Sequence, residues 1–264
     1  MSSQRDRSSS APELWVCHLG TVDYRSGVAI QQRLHERRLA GELPDLLLLL
    51  EHPPVYTRGR RSGAQDLPLP ENFYRARGID VASTDRGGKL TYHGPGQLVG
   101  YPIVGVGDVG RHLRTIEAAI VDALGEFAIG ARSRHDEGID YTGVWVGDRK
   151  IASIGVHVSR GVATHGFAVN VDNDLQPFSW VVACGLPDVQ MTSIAAELGV
   201  SAAPGVACFR KEIAYRFCEA HGRRQRLVSA TRLGIATTNA RSGAPAGAEP
   251  IKSRSTDLLE GALV

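Results

Sequence analysis

Hydrophobic and polar positions recur along this chain with two different periods, so strands and helices are mixed. Residues 14–19 read as a first strand. Asp23 stands where a helix cap belongs, ahead of Tyr24, Val28, Ile30 and Leu34, which share a broad helical face. Residues 46–50 are consecutive leucines. A strand-length run with no polar side predicts burial on both faces. Leu113, Ile116, Ile120, Val121, Leu124 and Phe127 form a strong helical stripe, with Asp108 in front as a cap. From 151 to 158 the pattern changes to alternation: Ala152, Ile154, Val156 and Val158 face one way, Ser153, Gly155 and His157 the other. Residues 165–171 alternate too, with Phe167, Val169 and Val171 together, so the turn at 159–161 predicts a hairpin. Val206, Phe209, Ile213 and Phe217 mark a last helix, ended by Gly222. The whole predicts an α/β fold with a substantial sheet.

Composition narrows this picture. With 264 residues and 42% hydrophobic content, the chain can bury a real core. We expect a disordered leader over residues 1–12, one folded domain over 13–226, and a disordered tail over 227–264, where only scattered aliphatics remain. No aliphatic run approaches the roughly 20 residues of a membrane span. No apolar stretch follows the polar start either, so we expect a cytoplasmic protein without a secretory signal. The 30 basic and 28 acidic residues nearly cancel, which argues against a protein dedicated to nucleic acid. Cys17, Cys184, Cys208 and Cys218 lack metal-binding spacing, and a disulfide framework does not fit a chain without an export signal. Cys17, Cys208 and Cys218 read as packing thiols.

Three segments remain where chemistry could reside. Residues 85–102 hold five glycines, two prolines, an arginine, a histidine and two tyrosines. Such a loop could lie along a ligand and offer it N–H groups, or simply form a tight hairpin. It matches neither a P-loop nor a dinucleotide fingerprint. Lys150 enters an apolar alternating strand, either as a solvated end or as a partly buried amine that acts on a neighbour. Cys184 closes an apolar stretch ahead of Gly-x-Pro, at a strand-to-loop edge where reactive groups tend to be displayed. A thiol of ordinary pKa, near 8.5, is only a few per cent thiolate at neutral pH and needs help to react. Lys150, His93, His157 and His165 are the partners on offer, and spacing does not choose among them.

Taken together, these segments carry a resemblance. Leu49-Leu-Glu-His52-Pro-Pro-Val-Tyr-Thr57, Arg86-Gly-Gly-x-x-Thr91-Tyr-His93-Gly-Pro-Gly-Gln97, Gly143-Val-Trp-Val with Lys150-Ile-Ala-Ser-Ile-Gly155, His165-Gly-Phe-Ala168-x-Asn170 and Cys184-Gly stand in one order over about residues 14–220. They resemble the octanoyl-transferase family of lipoate biosynthesis, the lipoyl(octanoyl) transferases. The resemblance implies the biotin/lipoate protein-ligase catalytic fold, a single domain with a mixed sheet flanked by helices. It implies octanoyl transfer from octanoyl-acyl carrier protein, through an enzyme thioester, to a lysine of a lipoyl domain. The acceptors would be 2-oxoacid dehydrogenase subunits and glycine-cleavage H protein, with no cofactor or metal. Cys184 matches the nucleophile and Lys150 the lysine that lowers its pKa. Arg86, Gly87, Gly88, Lys89, Leu90, Thr91, Tyr92 and His93 match the main acyl-binding loop. Ser153, Ile154 and Gly155, with Gly166, Phe167 and Ala168, match two further substrate-lining segments. Lys89 occupies a variable position and carries no role of its own. Tyr92, His93, Ile154 and Phe167 are expected as walls of the acyl pocket. Arg58, Arg60, Arg61 and Arg149 are candidates for attracting an acidic carrier. An ATP-dependent lipoate or biotin ligase on the same fold, a thioesterase, or a non-catalytic carrier-binding module are the rival readings.

Overall fold

The computed structural model describes residues 11–186 and 189–236. Strand β1 (Glu13–Thr21) leads through α1 (Tyr24–Leu39) to β2 (Leu46–Glu51), which lies parallel to β1. A parallel pair needs such a crossover. Asp23 caps α1 by accepting the Ser26 amide at 3.0 Å. The leucines of β2 divide between two cores: Leu47 and Leu49 face one way, Leu46, Leu48 and Leu50 the other. The absence of a polar side in that run therefore has the expected cause.

The chain then builds a separate small sheet from β3 (Val55–Arg58), β4 (Asp80–Ser83) and β5 (Leu90–His93), with α2 (Glu71–Arg75) between the first two. Its order is β4-β3-β5. Strand β6 (Gln97–Ile103) returns to the large sheet, followed by α3 (Val109–Gly125), β7 (Arg132–Ser133), β8 (Gly143–Val146), β9 (Arg149–Ser159) and β10 (Val162–Asn170). After α4 (Ile194–Leu198) and α5 (Val206–Ala220), β11 (Arg224–Leu227) completes it. The large sheet runs β11-β1-β2-β6-β10-β9-β8-β7. Its β11, β1 and β2 are parallel and the rest pair antiparallel, so the sheet is mixed. Helices α3 and α5 cover one face, while α1 covers the other.

The glycine-rich segment is not a hairpin in itself. Its β5 pairs with β3 in the small sheet, and its β6 pairs with β2 and β10 in the large one. The β9–β10 hairpin is present, closed by Arg160 and Gly161, both with positive φ.

Three expectations need correction. Residues 227–236 are packed, not a free tail: the Val228 amide donates to the Val16 carbonyl at 2.9 Å, and Ala230, Leu233 and Ile235 are buried beside Leu34 and Leu46. The rest of the expected tail, 237–264, lies outside the described residues. On α1 the buried positions include Gln31 and His35, while Val28 and Ile30 are only half-buried. Those polar side chains serve backbone groups: Gln31 accepts the His165 amide at 2.6 Å, and His35 donates to the Ser159 carbonyl at 3.1 Å. Cys208 is exposed, one residue off the inner face of α5 that carries Phe209, Ile213 and Phe217. Cys17 and Cys218 are buried, and burial pushes their thiols up to about 11 and about 12.

Candidate active site

Small residues open a trough on the large sheet. Along the β9–β10 pair, Ser153 faces Ala168 and Gly155 faces Gly166, so two successive same-face rungs carry almost no side chain. Val99 of β6 continues the first rung, opposite Ala168. The glycine loop comes down over this trough. The Gly87 amide donates to the Val156 carbonyl at 2.9 Å, and a Cβ on Gly155 would sit 2.7 Å from the Gly87 oxygen. Only glycine permits that approach. Arg86 staples the loop to β3: one terminal nitrogen donates to the Thr57 carbonyl at 2.6 Å and to Thr57 Oγ1 at 2.8 Å. A cavity of about 250 Å³ lies beneath the loop.

Lys150 lines this cavity at 1% exposure. Its Nζ donates to the Thr142 carbonyl at 2.9 Å and stands 5.1 Å from the centre of the Trp145 ring. A carbonyl and an aromatic face both suit a cation in a place where charge is otherwise costly. Its backbone pairs with the segment 190–192 on both sides, the Lys150 amide donating to Gln190 O and the Thr192 amide to Lys150 O, each at 2.9 Å. That segment follows the short 3-10 turn Ala183–Gly185, which contains Cys184. The side chain of Cys184 lies outside the described residues. Gly185, at φ 70°, has the stem of Lys89 against it, and Lys89 lines the same cavity as Lys150.

The mouth is partly apolar and partly charged. Ile139 and Val109 line the cavity while remaining 69% and 45% exposed. Asp140 takes Arg61 at 2.8 Å and Lys89 at 3.8 Å. Of the arginines proposed to attract a carrier, Arg61 alone lines the cavity, and it is paired. Arg58 is paired with Glu71 at 3.2 Å and Arg149 with Glu197 at 2.9 Å. Ile139 and Asp140 therefore supply part of the rim.

His93 and His165 line the cavity, and His52 packs behind His93. His52 donates from Nδ1 to the Val22 carbonyl and accepts the Tyr101 hydroxyl at Nε2, both at 2.6 Å. Burial pulls its pKa down to about 4. His93 donates to Gln97 Oε1 at 2.7 Å, Gln97 donates to Asn170 Oδ1 at 2.9 Å, and Asn170 donates to the Thr192 carbonyl at 2.9 Å. Burial holds His93 well below its usual range. The polar residues of two sequence motifs thus form one chain that ends on the segment paired with Lys150. His165, at φ 57°, donates to Asp85 at 2.7 Å, and burial lowers its pKa despite that carboxylate.

Of the residues expected to bind substrate, 86–91, His93, 153–155 and 166–168 all line the cavity. Tyr92 does not, which corrects its place as a wall. It turns the other way on β5 and packs with Tyr56 and Phe178, at ring distances of 5.5 Å each. Tyr24, Val99, Tyr101, Leu113 and Thr142 line the cavity without having been singled out. Tyr24 and Leu113 had read as ordinary helix faces, and nothing in their spacing separates a cavity wall from core.

The sequence profile of the lipoyl protein ligase A/B catalytic domain matches residues 23–217. The chain belongs to that family. Its relatives include octanoyltransferases of Solibacter usitatus, 50% identical over 70% of this chain and 83% of that protein. Others come from Mycobacterium marinum, 44% identical over 80% and 90%, and Caldicellulosiruptor saccharolyticus, 43% identical over 71% and 80%. This makes the chain an acyltransferase. Among solved structures, lipoate-protein ligase A with ATP bound is similar at a TM-score of 0.67, with 17% identity over 84% of this chain and 90% of that one. The lipoate protein ligase of Thermoplasma acidophilum is similar at 0.65, with 17% identity over 84% and 89%. Both likenesses show the fold. Among the described residues no helix is long and apolar enough to cross a membrane.

Proposed function

We propose that the protein takes an octanoyl group from octanoyl-acyl carrier protein onto Cys184 and passes it to the lysine ε-amine of a lipoyl domain. Those domains belong to 2-oxoacid dehydrogenase subunits and glycine-cleavage H protein, and the reaction takes place in the cytoplasm. The observation that carries this reading is Lys150: a 1%-exposed amine inside the cavity, with the Thr142 carbonyl as its acceptor. The octanoyltransferase relatives supply the acyl group.

The Cys184 thiolate attacks the donor carbonyl, a new S–C bond forms, and the carrier's thiol leaves with a proton delivered by Lys150. The acceptor amine then attacks the enzyme thioester, the bond to Cys184 breaks, and the amine's proton returns to the lysine. Exchange between two thioesters is nearly balanced in energy, so the intermediate stays activated for the amine. Lowering a thiol pKa by about 1.5 units takes roughly 2 kcal/mol and makes about half of it thiolate at neutral pH. The apolar walls Val99, Leu113, Ile154 and Phe167 suit the methylenes of the chain.

Intact-mass analysis after mixing with octanoyl-acyl carrier protein, without ATP, tests this. The expected product carries one octanoyl group, released by hydroxylamine and absent from Cys184→Ala. Labelling at Cys17, Cys208 or Cys218, or a requirement for ATP, would sink the reading.

A further inference from the structure

Tyr24 belongs to two hollows at once. It lines both the 250 Å³ cavity and a hollow of about 280 Å³ between α1 and β4, lined also by Arg25, Val28, Val81, Ala82 and Ser83. The side chain is 4% exposed. It is held by packing: edge-on to His52 at 5.3 Å, stacked on His93 at 6.1 Å, and against Val55, Ala82 and Val28. Its buried hydroxyl lies near the Thr84 side chain and the Arg86 guanidinium. A ring packed on so many sides is a wall of the cavity.

Its place along the trough matters. Tyr24 packs on His52, which accepts the Tyr101 hydroxyl, and Tyr101 follows the Gly100 that pairs with Phe167. This puts it beside the Gly155–Gly166 rung. Lys150 lies five residues back along β9 from Gly155, or about 16 Å at strand rise. An acyl chain whose carbonyl is at the Lys150 end meets Tyr24 after crossing the small-residue trough.

We propose that Tyr24 is the partition that ends the acyl site, and that the hollow behind it is a closed-off continuation able to take chains longer than octanoyl once the ring is removed. This rests on the proposed acyl role of the cavity. Val28, Val81 and Ala82 would receive the extra methylenes, and each one buried can add up to about fourfold in affinity.

The test compares wild type, Tyr24→Phe and Tyr24→Ala for direct binding of octanoate, dodecanoate and tetradecanoate, and for self-acylation by carrier thioesters of the same lengths. Wild type and Tyr24→Phe should favour eight carbons. Tyr24→Ala should shift the twelve-to-eight ratio by about tenfold or more. Adding Ala82→Phe, which fills the hollow, should restore the original ratio. If Tyr24→Ala does not fold, Tyr24→Leu opens the wall partway and should favour ten carbons. An unchanged ratio in a folded variant, or a shift as large in Tyr24→Phe, overturns the partition. Wild type that binds no fatty chain and forms no acyl-enzyme would instead overturn the acyl-site reading.

Discussion

Lys150 is a charged residue type where charge is costly, and its surroundings explain how it is kept there. The Trp145 face and the Thr142 carbonyl replace part of the hydration it gives up. The pattern of β9 left two options open, solvated end or buried amine, because alternation reports a face and not what covers it. Trp145, five residues earlier on β8, does the covering, and sequence distance hides that. Lys150→Met keeps the stem volume and removes the amine. It should leave the melting temperature close to wild type and slow self-acylation at pH 7 by about 100-fold or more, the usual weight of a positioned proton-transfer group. Quenched-flow mass analysis reads this directly. Recovery as the pH rises past about 8.5, where a free thiol ionises by itself, assigns the lysine an electrostatic part. No recovery assigns it the proton transfer, and an undiminished rate at pH 7 removes it from the chemistry.

At the scale of elements, the site is a loop from one sheet lying on a bare stretch of another. The β9–β10 hairpin was legible because two alternating runs flank a turn. The division of the glycine segment between two sheets was not, since alternation along β5 says nothing about which sheet it joins. Tyr92 shows the consequence: its neighbours His93 and Thr91 reach the cavity, while its own ring goes to the Tyr56 cluster. The bare stretch entered the sequence reading only through the resemblance, as two substrate-lining segments; the pairing of Ser153 with Ala168 and of Gly155 with Gly166 is what makes it bare. Gly155→Ala tests whether that closeness matters. Its new Cβ would lie 2.7 Å from the Gly87 oxygen, a backbone atom that can retreat only by moving the loop. Overpacking of this kind costs about 1–3 kcal/mol. The variant should melt several degrees lower and show a raised KM for the octanoyl donor, because the loop that roofs the cavity is displaced. A variant with wild-type KM would show that the loop is not held against β9 during turnover.

The large sheet separates the two biggest cores of the molecule, and each of its faces holds a histidine that burial keeps neutral. His52 lies on the α1 side, His112 between α3 and α5. Each has its pKa pulled from 6.5 to about 4, in both cases mainly by burial; for His112 the nearby His221 adds to it. The unfolded chain takes up these protons near pH 6.5, while the folded chain resists until about pH 4. Stability is therefore full above pH 6.5 and falls as the pH drops through that window, by roughly 2 kcal/mol for each group by pH 5. His93, His165, His221 and His18 are lowered in the same direction and steepen the fall. The carboxylates held low by partners, Asp85 among them, add their own loss only below about pH 4.5. Between pH 6.5 and 5 the slope belongs to the histidines alone. Urea midpoints across that interval should fall steadily. His112→Phe should flatten the slope by its own share, since its Nε2 has no partner among the described residues to lose. A midpoint that stays level from pH 6.5 to 5 would mean that these rings are charged or solvated in the folded protein, and that neither core is as dry as its packing indicates.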